Sequence, residues 1–222
     1  MQLGRTTITL SSEEQAQLET AVRAEAASFI DRLAGNLKIE RIDQPWFRRH
    51  RVLEVGSPMP FPARRVFVAA YDGGMHVLSA HLENLRKVAA HDPPGELDDE
   101  ATAAAYATYG NAWTREYANG ELKIGTYSDI PWHPGLKPEE QARVDELGAR
   151  LGGSIAPEQH RRTDEGWVIR TWWVAHRRLI EREIVVPRDG QLRRHDTIHA
   201  EDLPLPPGNV WRMVNGRFLP VG

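Results

Sequence analysis

Apolar positions along this chain recur at two spacings, and the switches between them mark its elements. Leu18, Val22, Ala26, Phe29 and Leu33 recur at helical spacing behind Ser11 and Ser12, which head two overlapping capping boxes with Glu14 and Gln15. The pattern predicts a helix over 13–34, stopped by Gly35. Leu37 to Ile42 alternates as a half-buried strand does, and Trp46 to Val55 predicts a second, unusually polar strand. Three prolines between Ser57 and Pro62 require a loop or an edge. Val66–Tyr71, Asp72-Gly-Gly74 and Met75–Leu78 then read as a hairpin, glycine supplying the positive φ at its turn.

Further helices follow. One carries Leu82, Leu85, Val88 and Ala89 on one stripe, with Ser79 as its cap and His91-Asp-Pro-Pro as its stop. A second starts at Asp98 or Asp99, with Ala105, Tyr109, Ala112 and Trp113 facing inward. After a short strand from Glu121 to Tyr127, Pro138 opens a helix whose buried side is Val144, Leu147 and Leu151; Gly152-Gly153 closes it.

Trp167–Ala175, Leu179–Val186 and Leu192–His199 are rich in Val, Ile, Thr and Trp and predict three consecutive antiparallel strands. Leu203-Pro-Leu-Pro-Pro-Gly208 reads as a stiff connector to a terminal hairpin around Asn215-Gly216. The fold class is therefore α+β, with antiparallel sheets packed against about four helices. The expected division is an N-terminal unit over 1–128, a second over 129–208 and a C-terminal hairpin over 209–222. A shift of 117 residues lays Gly35 on Gly152 and Asp72-Gly73 on Asp189-Gly190, the trace expected of a tandem duplication. Each unit is then similar to cystatin-like or NTF2-like proteins in shape only, which carries no function.

Composition narrows the chemistry. The 222 residues contain no cysteine, so disulfides, thiolate metal sites and cysteine nucleophiles are absent. A net charge of −3 gives no global field for nucleic acid or anionic lipid. Nine Arg against six acidic residues between His160 and His199 form a local basic excess, yet no nucleic-acid-binding motif accompanies them, so that role ranks third. With no signal peptide pattern and no apolar run of roughly 18 residues, the expectation is a soluble, cytoplasmic protein without a membrane partner.

Seven Trp and nine His direct attention to particular residues. His195 and His199 share a strand face, but lie too far apart to hold one metal ion without a third ligand such as His176; no zinc-type spacing occurs, and no metal or cofactor is expected. If a two- or four-residue turn joins the last two strands, Arg182 shares a face with His195, and Glu183 pairs with Arg194 across the strands. The candidate catalytic set is then His195 or His176 as general base, with Glu181, Glu183 or Asp196 orienting it. Trp172, Trp173, Trp132, His133 and His199 are the candidate ligand-binding residues. The leading expectation is a non-catalytic binding or accessory protein that uses a sheet face, the connector and the terminal hairpin to engage a protein partner or a second copy of itself. A cofactor-free hydrolase, isomerase or cyclase acting on a small molecule is the alternative.

Overall fold

The computed structural model describes residues 2–30, 37–56, 65–115, 121–206, 211–214 and 217–220. The fold is α+β: among the described residues, four α-helices accompany two antiparallel five-stranded sheets. The chain groups into two compact units, the first comprising 1–117 with 163–167 and 185–193, the second the remainder.

In the first unit β1 (Gly4–Thr7), α1 (Ser12–Ile30), β2 (Lys38–Asp43), β3 (Arg51–Gly56), β4 (Arg65–Tyr71) and β5 (Gly74–Val77) precede α2 (Leu82–His91) and α3 (Glu100–Thr114). The sheet is a meander in the order β1-β2-β3-β4-β5. The alternation that predicted the strands sets their register: Leu53 lies opposite Val68 and Val55 opposite Val66, so one apolar face meets Leu18 and Val22 of α1. Of the two capping boxes, Ser11 and Glu14 form one: the Ser11 N–H donates to the Glu14 carboxylate at 2.9 Å and the Glu14 N–H to Ser11 Oγ at 3.2 Å. Side chains beyond Glu25 in α1, the stop at Gly35 and the loop at Ser57–Pro62 lie outside what is described.

Several expectations change here. Strand β3 begins at Arg51, because the Gln44 side chain holds 44–50 as a loop, accepting from the N–H groups of Trp46 and Phe47 at 2.8 Å each and donating to the carbonyls of Phe47 and His50. The hairpin after Tyr71 keeps to expectation, with the positive φ supplied by a glycine of Asp72-Gly-Gly74, Gly74 (146°). Ser79 does not cap α2; its hydroxyl accepts from the Phe67 N–H at 2.9 Å, and His81 is the cap residue. Helix α3 is capped by Asp99, as expected, but turns Ala103, Tyr106, Ala107 and Gly110 inward together with Trp113. Buried Tyr106 donates its hydroxyl to the Gly190 carbonyl at 2.8 Å. Tyr106→Phe is expected to lower stability by about 1 kcal/mol, because that carbonyl loses one of its two donors and keeps the Leu192 N–H; urea unfolding measures it.

In the second unit β6 (Leu122–Ile124) and a 3-10 turn (Tyr127–Asp129) lead to α4 (Pro138–Leu151), β7 (Gln159–Thr163), β8 (Gly166–Ala175), β9 (Arg178–Pro187) and β10 (Arg193–Ala200). The sheet runs β10-β9-β8-β6, and β7 also pairs with β8. Val144, Leu147 and Leu151 of α4 are buried as their spacing predicts; Leu147 and Leu151 pack with Trp172, Val174 and Leu179. Gly152 caps α4 in right-handed conformation, its N–H donating to the Gly148 carbonyl. The β8–β9 turn is made by His176 and Arg177 at φ of 51° and 61°, left-handed values that glycine or asparagine usually supplies.

The first unit begins with a strand, a helix and four strands, and so do the elements of the second; α2 and α3 follow in the first alone among the described residues, and both Asp-Gly pairs fall in hairpin connections. The pairing differs: β1 joins β2, whereas β6 joins β8. The terminal strands β11 (Trp211–Val214) and β12 (Arg217–Pro220) pair antiparallel, with Val214 opposite Arg217 as the Asn-Gly pattern predicts.

Candidate functional site

The site in the second unit is governed by the length of one loop. Five residues, Arg188 to Leu192, connect β9 to β10, with Gly190 at φ 74°. The Gly190 N–H donates to the Pro187 carbonyl and the Leu192 N–H to the Gly190 carbonyl, each at 2.9 Å. An odd loop reverses the parity expected from a two- or four-residue turn. Arg182 therefore shares its face with Asp196, and His195 points the other way, as does Glu183 relative to Arg194.

On one face, Arg182 is 2% exposed. Its Nε donates to Asp196 Oδ1 and one terminal nitrogen to Oδ2, both at 2.8 Å, and the guanidinium also grips both oxygens of Glu121 at 3.0 and 3.2 Å. The guanidinium carbon lies 5.2 Å from the centre of the Trp173 ring, whose Nε1 donates to Thr171 Oγ1 at 2.8 Å. Burial pulls the Arg182 pKa down, but the hydrogen bonds it donates to Asp196 and Glu121 outweigh that and hold the charged form. Asp196 is thus an anchor for Arg182, which leaves it poorly placed to orient a histidine.

The opposite face carries Glu181, whose Oε1 pairs with Arg170 and whose Oε2 meets His199 Nε2 at 2.8 Å. Burial would raise the Glu181 pKa; the two partners lower it below the ordinary carboxylate value. The His199 ring lies 4.8 Å from that of buried Trp172. This His–carboxylate contact joins two of the expected residues. The others are placed differently: His195 is exposed on β10, His176 is exposed in the β8–β9 turn, and Glu183 is partly buried.

Beside this face a surface groove of about 240 Å³ is lined by Trp132, by Arg143 and Arg150 of α4, and by Ala200, Leu203 and Pro204. Arg150 donates to the His199 carbonyl at 3.2 Å. The groove therefore starts where β10 ends and uses the first residues of the proline-rich connector. Trp132 packs on Tyr127 at 5.6 Å. His133 anchors the connector instead of facing a ligand, its N–H donating to the Pro204 carbonyl at 2.9 Å and its Nδ1 accepting from Gly135.

Sequence reading missed a second constellation, in the first unit. Asp92 Oδ2 accepts from the backbone N–H groups of Arg49 (2.6 Å) and His50 (3.0 Å) and from His50 Nδ1 (3.2 Å). Burial lowers the His50 pKa below its ordinary value, against the pull of Asp92; the same donors lower that of Asp92 although its burial opposes them. The signal was His91-Asp92-Pro-Pro, read only as a helix stop, and His50, read only as a polar strand residue.

Among the described residues no group of three or more His, Asp or Glu is arranged to hold a metal ion, and no helix is long and apolar enough to cross a membrane. No family of proteins, no curated protein and no solved structure matches the chain.

Proposed function

We propose that this protein is a non-catalytic binding or accessory protein that takes up an extended, acidic segment of a protein partner as an added strand outside β10. One observation carries the reading. Strand β10 ends the sheet order, and its residues are exposed without a break from Arg193 to Ile198. An edge strand presents unpaired N–H and C=O groups, and a partner's main chain satisfies them one after another. Arg194 gives this edge an exposed cation that suits acidic side chains, Arg193 being paired with Glu165, and Ile198, 46% exposed, offers an apolar contact. The groove at Trp132 continues from Ala200 and receives the end of the segment, with Leu203 and Pro204 of the connector as one wall. The Glu181–His199 contact favours a second reading, a cofactor-free enzyme with His199 as base; Arg170 already occupies the other carboxylate oxygen, which ranks it lower.

Selection of displayed random decapeptides against the whole chain tests the proposal. The expected result is enrichment of acidic segments alternating with β-branched residues, and at least tenfold weaker binding of the selected peptide to the Arg194→Glu/Ile198→Glu double variant. No enrichment, or equal binding by that variant, contradicts it.

A further inference from the structure

The geometry points to a second, separate ligand site in the first unit, at the free ring nitrogen of His50, for a planar molecule that carries an acidic O–H or N–H. Three features assemble it. The His50 side chain is 1% exposed, and its Nδ1 faces the Asp92 carboxylate. A carboxylate only accepts, so Nδ1 carries the proton and Nε2 of the neutral ring presents a lone pair. That Nε2 is buried without a hydrogen-bond partner. A buried acceptor left without a donor costs about 1–3 kcal/mol, which a ligand's O–H or N–H recovers on binding.

The surroundings set the ligand's shape. Tyr71 stands at the centre of a ring cluster, 5.0 Å from His50, 5.5 Å from His76, with which it stacks at 17°, and 5.6 Å from His91. His91 meets His50 edge to face at 5.2 Å, and Phe47 closes the far side at 6.3 Å. Aromatic walls around this unpartnered acceptor favour a flat molecule with a donor at its rim. His91 is exposed at the last turn of α2, and entry of a ligand requires its ring to turn outward about χ1. Asp92 acts as a positioning residue: with three donors on one oxygen it fixes both the tautomer and the plane of the imidazole.

Phenol is the probe, followed on the whole chain by the ¹⁵N resonances of the histidine rings. Phenol is expected to shift His50 Nε2 and the rings of Tyr71 and His91 along one saturable curve. Anisole, equal in ring shape but lacking the O–H, is expected to bind at least tenfold more weakly. His50→Gln, which keeps a donor towards Asp92, is expected to abolish the Tyr71 and His91 response while the tryptophan fluorescence of the fold is retained; Tyr71→Ala, away from the Asp92 contacts, weakens it at least fivefold. No saturable shift with phenol, equal affinity for anisole, or an unchanged response in folded His50→Gln overturns the inference.

Discussion

Replacing Arg182 with alanine is expected to lower the unfolding free energy by about 3–5 kcal/mol, the cost of breaking a buried ion pair from one side. The guanidinium bridges Glu121 and Asp196, whose side chains are 10% and 30% exposed. Without it the shielded Glu121 carboxylate is left uncompensated beside a second negative charge, and the Trp173 ring loses the group it stacks on. The charge is what matters, so Arg182→Met, which restores much of the volume, is expected to recover little. The triple variant Arg182→Met/Glu121→Gln/Asp196→Asn is expected to recover at least half of the loss, because it removes the stranded charges as well. Urea unfolding of the four proteins measures the series; a loss below 1 kcal/mol in Arg182→Ala contradicts the account.

Asp92→Ala is expected to cost about 3 kcal/mol, since one charged acceptor disappears and three donors around His50 lose it together. Its pH dependence separates this from a generic cavity effect. The folded-state pKa of His50 is depressed, so the unfolded chain takes up the proton more readily: that contribution is present above the unfolded value of 6.5 and is lost as pH falls below it. His76 is depressed by burial too and adds in the same direction. Asp92 is depressed from 3.8, so its contribution is present above 3.8 and is lost as pH falls through its lower folded value. Stability of the native chain should therefore decline in two acid steps. Asp92→Ala reduces the lower step, to which Glu181 and the other lowered carboxylates still contribute, and deepens the upper one, because His50 loses the carboxylate that favours its charged form. Denaturation midpoints followed from about pH 8 down to about pH 2 show this; an upper step unchanged by the substitution contradicts it.

Much of the fold was legible because periodicity and turn chemistry agreed. Helix α4 has proline at its start, one apolar stripe and glycine at its end; β8 to β10 have β-branched runs between clear breaks. Helix α3 was assigned the wrong phase, since alanines on every side give the stripe no contrast and Tyr106 and Tyr109 fit inward equally well by sequence. Strand β7 escaped notice because Gln-His-Arg-Arg-Thr has no alternation to read. The parity of the last hairpin turned on whether its loop is even or odd, and Pro187-Arg-Asp-Gly fits either until the left-handed Gly190 is seen. That one residue of difference moved Arg182 from His195 to Asp196. The remaining site contacts are long-range: Glu121 lies 61 positions from Arg182, and Asp92 lies 42 from His50. Local pattern carries no information about pairs so far apart.

Amide hydrogen exchange along β10, with and without the selected acidic peptide, tests the proposed function most directly. The N–H groups of an edge strand point outward at every second residue, so an added strand protects alternate amides. The account predicts at least tenfold slower exchange at alternate positions between Arg193 and Ala200, with the equally exposed edge strand β1 unchanged. Peptide binding that leaves the β10 amides exchanging at their original rates contradicts it.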